Sequence, residues 1–235
     1  WLKAQNRRRP MRMCRGAALW PARCLASRFS SASGAMGTPS ERAADTLMKA
    51  WVSRQWIESA EAYPAPPGNV AEMYDVHLAI QRHPLVEAEF GGLGGYKLGA
   101  IGVEGEAMMY APLFRRFIVE APPGGPASGL SSAAIQMHLL EAEVGMLMGA
   151  QLPAKASGEP HSEAEVWAAV AAVAPCMEFC GRRFSAEVAD SLPRLAKTAD
   201  CLSAGGAVVG RRYPASGLDP VSLSACTTSI VVNGD

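Results

Sequence analysis

The sequence has no uninterrupted apolar stretch of the length, about 18 residues, that a membrane-spanning helix needs, because Arg, Glu, Gly or Pro breaks every candidate run. It has no Gly-x-y repeat, and 23 Gly and 17 Pro among 235 residues are too few for a collagen-like or low-complexity chain. Intrinsic disorder is excluded too, since 49% of the residues are hydrophobic and 19% are charged. We therefore expect a globular protein with one sizeable core or two small ones, and no association with a membrane.

Net charge is also absent, because 22 Lys and Arg residues balance 22 Asp and Glu residues. The two signs are separated along the chain: the first 40 residues contain eight basic residues and no acid. The rest of the chain is therefore acidic, whereas a nucleic-acid-binding surface needs basic side chains that replace counterions on phosphate. This distribution argues against nucleic acid as a partner and favours a small metabolite or another protein.

The basic N-terminal segment has the composition of an organelle transit peptide. From Met11 onward it reads MRMCRGAALWPARCLASRFSSASGAM, which is rich in Arg and Ser and free of acids. A secretory signal would need an unbroken apolar region, which Arg15 and Pro21 interrupt here. We predict a leader over residues 1–37, processing near Phe29 and a mitochondrial location, with a plastid or the cytoplasm as alternatives. Translated upstream sequence or a disordered tail is the competing interpretation.

A fluorescent protein fused behind residues 11–37 is expected to accumulate in mitochondria and to run as a shortened, processed band. The physical reason is that an Arg-rich amphipathic segment is drawn along an inside-negative membrane potential. Microscopy and gel analysis check both parts of the expectation, and a fusion with every leader Arg replaced by Gln is the control. Diffuse cytosolic fluorescence without a processed band would show that the segment is only a tail.

Two signals mark helices in the N-terminal part of the chain. Thr38 and Glu41 form a capping box, which predicts a helix over residues 39–58. A second helix is predicted from Asn69, a good N-cap residue, to just before Pro84.

The second part of the chain contains short β-prone runs separated by Gly-rich turns. The predicted strands are 96–101, 117–120, 135–148, 174–179 and 229–232. Two helices interrupt them, one between a capping box at Ser162 and Pro175, and one over residues 191–203. Helices followed by irregularly spaced strands predict an α+β fold with a mixed sheet, divided into a helical segment (38–90) and a sheet-containing segment (91–235).

The six cysteines lack the paired C-x-x-C spacing of a metal or redox site, so we interpret them as reduced thiols. Cys176 and Cys180, four residues apart, resemble half of a zinc site. No second Cys/His pair with ligand spacing follows, and we interpret both as small core residues.

Carboxylates interrupt two otherwise apolar strands. Glu141 and Glu143 are two residues apart, and alternate residues of a strand face the same side. Two like charges there repel each other unless a cation or protons intervene. Together with Glu178 in the second strand, they would form an oxygen-only face for Mg²⁺ or Mn²⁺. The alternative is a solvated strand face with one ion-paired Glu.

Lys97 is a single charge within a strand of small and apolar residues. It is either a surface cation or a point charge that contacts a substrate carboxylate or enolate.

Short motifs occur in order from about residue 74 to residue 235. They are Gly-Tyr-Lys-Leu-Gly at 95–99, Leu-Glu-Ala-Glu-Val at 140–144, Gln-Leu-Pro at 151–153, Pro-Cys-Met-Glu at 175–178, Arg183, Ala199-Asp200, Val-Val-Gly at 208–210, Gly-Leu-Asp at 217–219 and Asn233-Gly234. In these motifs the chain resembles the 2-keto-4-pentenoate hydratase branch of the fumarylacetoacetate hydrolase superfamily, which also contains 4-oxalocrotonate decarboxylases.

The resemblance implies N-terminal helices followed by a mixed β-sheet roll or barrel that carries a hydratase-like catalytic domain. It implies a Mg²⁺ or Mn²⁺ cofactor held by Glu141, Glu143 and Glu178, with Lys97 as a catalytic residue. The expected function is that of a hydro-lyase that adds water to a small 2-oxo or 2-hydroxydienoic acid, such as 2-hydroxypenta-2,4-dienoate. The alternative is decarboxylation of a 2-oxo acid.

The chain also departs from the family pattern. Met109 stands at an acidic position, Gly181-Arg182 replaces Asp-Ser, and Cys201 replaces Asn. These changes leave open a third interpretation, a non-catalytic subunit that stabilises an active relative. Family members continue beyond the position of Asp235, so we expect a sheet that is incomplete at its C-terminal end. We further expect a homo-oligomer or a complex with a decarboxylase paralogue.

Overall fold

The computed structural model of the protein describes residues 37–99, 108–121, 129–223 and 225–227. The helices are α1 (Pro39–Ser53), α2 (Val70–Arg82), α3 (Pro84–Phe90), α4 (Glu163–Ala168), α5 (Ala186–Ser191), α6 (Arg194–Thr198) and α7 (Pro220–Leu223). The strands are β1 (Leu93–Gly99), β2 (Met109–Phe114), β3 (Ile118–Glu120), β4 (Met137–Met148), β5 (Val170–Gly181), β6 (Ala204–Val209) and β7 (Tyr213–Pro214). The strand predicted over 229–232 and nearly all of the predicted leader lie outside the described residues.

The two N-terminal helices confirm the capping signals. Thr38 Oγ1 accepts a hydrogen bond from the Glu41 N–H at 3.2 Å, and the Glu41 carboxylate accepts from the Thr38 N–H at 2.7 Å. Helix α1 ends at Ser53, earlier than predicted, because Arg54 adopts a left-handed conformation (φ 59°) that closes the helix. Helix α2 has the predicted bounds, and the side chain of Asn69 caps its first turn.

The helix predicted between Ser162 and Pro175 is wrong in its second half. Its capping box forms, but the helix ends at Ala168, and strand β5 begins at Val170. Antiparallel pairing with β4, from Met148 opposite Val170 onward, supplies the backbone hydrogen bonds of this segment instead. A β-strand also accommodates its β-branched residues and the proline better than a helix interior does.

The helix predicted over 191–203 is wrong as a continuous element, because only α6 and a short 3₁₀ turn at Cys201–Ser203 form within it, while α5 ends at its first residue, Ser191. Pro193 lies between the two helices, and proline in a helix interior removes a hydrogen bond and clashes with the preceding turn. Elements α3, α5, α7, β2, β6 and β7 have no counterpart among the predictions.

The main sheet has the strand order β3-β6-β5-β4, and β7 adds to one end of β5. Strands β3 and β6 run parallel, while β4, β5, β6 and β7 pair in antiparallel fashion. Strands β1 and β2 form a separate antiparallel pair. The predicted α+β fold with a mixed sheet is confirmed, and the strands of the described ranges form an open sheet rather than a closed barrel.

Strand β4 lies at one edge of this sheet as far as the structure describes it. Three apolar side chains on one face of the strand, Val144, Met146 and Met148, are exposed. None of the helices in the described ranges is long and apolar enough to span a membrane.

Trp51 of α1 lies at the centre of an aromatic cluster in the core. Its ring-centroid distances are 5.1 Å to Phe90, 5.4 Å to Phe114 and 5.7 Å to Phe117. These partners come from α3, β2 and the turn before β3. The N-terminal helices and the strands therefore share one hydrophobic core.

Long-range hydrogen bonds attach the N-terminal helices to the segment that follows β5. The Ile57 N–H donates to the Arg183 carbonyl at 2.8 Å, and the Ser185 N–H donates to the Ile57 carbonyl at 3.1 Å. On α2, the Nε2 of the buried His77 donates to the Thr198 carbonyl at 3.0 Å. These bonds fix the helical layer beside the sheet.

A buried ion pair connects the end of β5 to the start of β6. The side chains of Arg183 and Asp200 are 0% and 2% exposed, and the Arg183 Nε–H donates to the Asp200 carboxylate. The guanidinium also donates to the Ala204 carbonyl at 3.1 Å and lies 4.0 Å from the centre of the Trp51 ring. The motif residues Arg183 and Asp200 therefore have a structural role in this protein.

Candidate metal centre

The predicted carboxylates share one face of the β4–β5 pair. Glu141 lies directly opposite Glu178 across the two strands, and Glu143 lies opposite Cys176. Directly opposed residues of antiparallel strands point to the same side, as do residues two apart within a strand. The structure thus places Glu141, Glu143 and Glu178 on one face, as the sequence spacing predicts.

Lys97 approaches this face from strand β1. Its Nζ lies 2.9 Å from Glu178 Oε1 and 3.5 Å from Glu141 Oε2. The Lys97 side chain is 12% exposed, so the alternative of a surface cation is wrong. Its neighbours on the inward side of β1, Gly95 and Gly99, have no side chains to obstruct this approach.

Cys180 belongs to the same cluster. Its thiol donates to Glu141 Oε2 at 3.3 Å and lies 3.7 Å from Lys97 Nζ. The interpretation of Cys180 as a small buried residue is correct for its 2% exposure, but it missed the contact with the carboxylates. The sequence did contain a signal for this contact. Residue 180 follows Glu178 by two in a strand, so the two side chains must face the same side.

Three ligand atoms, from Glu141, Glu178 and Cys180, all lie within 4.8 Å of one another. Among the described residues, the carboxylate of Glu143 is not part of this group, although it projects from the same strand face. Of the three predicted Glu ligands, Glu141 and Glu178 therefore lie close together, and the third donor beside them is the Cys180 thiol.

Burial and charge set the protonation of the cluster. Burial by itself favours neutral Lys97, but the charges of Glu178 and Glu141 outweigh it and raise the pKa of Lys97. Burial raises the pKa of Glu178, while the Lys97 ammonium acts in the opposite direction. Burial also raises the pKa of the Cys180 thiol. At neutral pH the cluster therefore contains a firmly protonated ammonium and a neutral thiol.

The donor set fits a divalent cation. Glu178 Oε1 is buried and accepts no hydrogen bond of good geometry in the described part of the chain, and its near neighbour is the Lys97 ammonium. Carboxylate oxygens are the ligands that Mg²⁺ and Mn²⁺ prefer, and a buried carboxylate requires a positive partner. The geometry can thus bind a cation between β4 and β5 and can present a second positive charge, that of Lys97, to an anion.

Comparisons with known proteins identify the fold. No family model matches the chain, and no curated protein matches its sequence. Two solved structures of 4-oxalocrotonate decarboxylase from Pseudomonas putida G7 match it with a TM-score of 0.57 and 21% sequence identity. The chain has the fold of 4-oxalocrotonate decarboxylase.

One of the two decarboxylase structures is complexed with magnesium and adipate, and the other with calcium and acetate. The match covers 77% of this chain and 65% of the decarboxylase chain, so the chain spans less than two thirds of the length of those structures. At the level of fold, the likeness confirms the resemblance drawn from the motifs.

Proposed function

We propose that this chain is a divalent-metal-dependent lyase that acts on small 2-oxo or 2-hydroxydienoic acids, with hydration of 2-hydroxypenta-2,4-dienoate as the reaction. The observation that carries the proposal is the convergence of Glu141, Glu178 and Lys97 on one largely buried face. Support comes from the fold, which is shared with a decarboxylase whose structure contains magnesium and a dicarboxylate.

In this proposal Glu141 and Glu178 hold Mg²⁺ or Mn²⁺, and Glu143 is the further ligand. Glu143 is two residues from Glu141 on the same strand face, so their backbone positions are about 7 Å apart along the strand. The Glu143 side chain is long enough to bring its carboxylate closer to Glu141. The bound ion supplies Lewis acidity toward the carboxylate and 2-oxygen of the substrate.

Lys97 provides the second charge that the chemistry needs. In the metal-free protein the neighbouring carboxylates raise the pKa of Lys97, so the ammonium is protonated over the neutral pH range before an ion binds. A buried, fixed positive charge stabilises the negative charge of an enolate more strongly than the same charge in water. We therefore assign Lys97 to the binding of the substrate anion and to the stabilisation of the enolate through which water addition proceeds.

Decarboxylation is the second candidate, and it is supported by two solved structures with this fold, both of 4-oxalocrotonate decarboxylase. Loss of CO₂ from a 2-oxo acid and addition of water to a dienol share an enolate, so the same ligands serve both reactions. The third interpretation is a non-catalytic subunit. Such a subunit would have the same fold as the enzyme and would differ only in the absence of turnover.

Two further expectations stay proposals. The composition of residues 1–37 supports import into the mitochondrion. The exposed apolar residues at the β4 edge support a homo-oligomer, since such an edge is commonly covered by another strand or subunit.

The purified protein is expected to consume 2-hydroxypenta-2,4-dienoate in the presence of Mg²⁺ or Mn²⁺ and to stop after treatment with a chelator. Loss of the ultraviolet absorbance of the dienoate measures the rate. Mass spectrometry of the product, with a dicarboxylic 2-oxo acid as the parallel substrate, distinguishes added water from lost CO₂.

A 4-hydroxy-2-oxo product supports the hydratase, and released CO₂ supports the decarboxylase. Full turnover in chelator contradicts the metal requirement. Metal binding without turnover of either substrate would favour the non-catalytic subunit.

A further inference from the structure

Cys180 lies in the candidate metal centre, and packing in a hydrophobic core does not explain its position there. It lies two residues after Glu178 in β5, is 2% exposed, and directs its sulfur at Glu141 Oε2, 3.3 Å away. In a tetrahedral site with metal–sulfur and metal–oxygen bonds of about 2.3 and 2.1 Å, neighbouring sulfur and oxygen ligands are roughly 3.5 Å apart. The Cys180–Glu141 separation of 3.3 Å, which the thiol hydrogen bond now sets, is within a few tenths of an ångström of this value, so joint coordination needs only a small movement.

The same three donors already surround one cation. The Lys97 ammonium lies 2.9 Å from Glu178 Oε1, 3.5 Å from Glu141 Oε2 and 3.7 Å from Cys180 Sγ. This arrangement shows that the face is shaped for a positive charge at which all three side chains meet.

The chemistry of the donors differs from an oxygen-only site. Mg²⁺ and Ca²⁺ bind carboxylate and water oxygens, whereas thiolate sulfur selects softer ions such as Zn²⁺ and Cd²⁺. Two carboxylates and one thiol, with a water in the fourth position, form an acceptable tetrahedral set for such an ion.

We infer that Cys180 is a metal ligand, and that with Glu141 and Glu178 it gives this centre a mode of binding for thiophilic divalent ions besides Mg²⁺ or Mn²⁺. The inference rests on the proposed function, because it concerns the same centre. When such an ion binds, the Sγ–H bond breaks, the sulfur electron pair forms the bond to the metal, and the proton passes to solvent. No electron is transferred, and the Lys97 ammonium moves out of the donor triangle.

Titration of the metal-free protein with Cd²⁺ tests this inference. The wild type is expected to develop the ultraviolet sulfur-to-cadmium charge-transfer band, to saturate at one ion per chain and to release a proton. Cys180→Ser is expected to lose this band and to bind Cd²⁺ at least about 10-fold more weakly. Binding of Mn²⁺, followed by its electron paramagnetic resonance signal, should survive in Cys180→Ser, because the carboxylates are unchanged.

Cys176→Ser is the matched control, since Cys176 lies on the same face of β5 opposite Glu143. It should keep the band, and a band lost in Cys176→Ser but kept in Cys180→Ser would overturn the inference. A wild type that binds Mn²⁺ without developing the Cd²⁺ band would also overturn it, while leaving the proposed function intact. Failure to bind either ion would instead contradict the proposed function, and the inference with it.

Discussion

Replacing Glu178 with Gln is expected to abolish high-affinity binding of Mg²⁺ or Mn²⁺ and to lower turnover at least about 100-fold. Loss of groups that only orient a metal ligand typically costs about 10- to 100-fold in metal affinity or activity, and Glu178 is placed as a ligand itself. The neutral amide removes the negative charge from a side chain that is 7% exposed, where water cannot replace it. The substitution conserves volume, and Lys97 keeps Glu141 as a partner at 3.5 Å.

Isothermal titration with Mg²⁺ and the dienoate assay measure the two effects, and circular dichroism checks that the variant is folded. Glu163→Gln is a suitable control because Glu163 is an exposed residue in the first turn of α4, and this variant should retain wild-type binding. A folded Glu178→Gln protein with unchanged Mg²⁺ affinity would exclude Glu178 as a ligand.

Arg183→Met is expected to lower the free energy of unfolding by about 3–5 kcal/mol, the cost of breaking a buried ion pair from one side. Asp200, at 2% exposure, would either remain an unpaired buried carboxylate or take up a proton, and both outcomes cost free energy. The Ala204 carbonyl would lose a hydrogen-bond donor, and Trp51 would lose the cation over its ring. Such a loss is a large part of the roughly 5–15 kcal/mol that stabilises a typical domain.

Urea unfolding followed by tryptophan fluorescence measures this change. The exposed Arg211 provides the control, and Arg211→Met should stay within about 0.5 kcal/mol of wild type. The double variant Arg183→Met/Asp200→Leu should recover part of the loss, because it leaves no unpaired charge. Recovery is incomplete because Asp200 also accepts the Arg183 backbone N–H at 2.8 Å. A loss below about 1 kcal/mol in the single variant would contradict the role of the pair.

The sequence predicted those parts of the molecule that depend on short spacings. Alternation within a strand was enough to place Glu141 and Glu143 on one face, and capping boxes were enough to start α1 and α4. Prediction from the sequence failed where pairing with a distant strand determines the secondary structure. Val170 continues a helical pattern locally, but it belongs to a strand because β4 lies beside it.

The contacts of the metal centre show the same division. Nothing local reveals that Lys97 contacts Glu178, because the two residues belong to different sheets and meet only through the Lys97 side chain in the folded protein. Cys180 is the exception, since its spacing from Glu178 already placed it on the face of the carboxylates.

The attachment of Ile57 to the residues after β5 has a consequence for the order of events during synthesis. Helices α1 and α2 leave the ribosome first, but Arg183, Phe184 and Thr198, which complete their contacts, follow much later. At roughly 5–20 residues per second, the roughly 130 residues between Ile57 and Phe184 take about 6–25 s to make. During that time the N-terminal helices can pack only on partners made soon after them, such as Phe90, Phe114 and Phe117, and lack the backbone hydrogen bonds that the residues after β5 provide. The hydrogen bonds that attach the helical layer to the segment after β5 are therefore among the last contacts to form during synthesis.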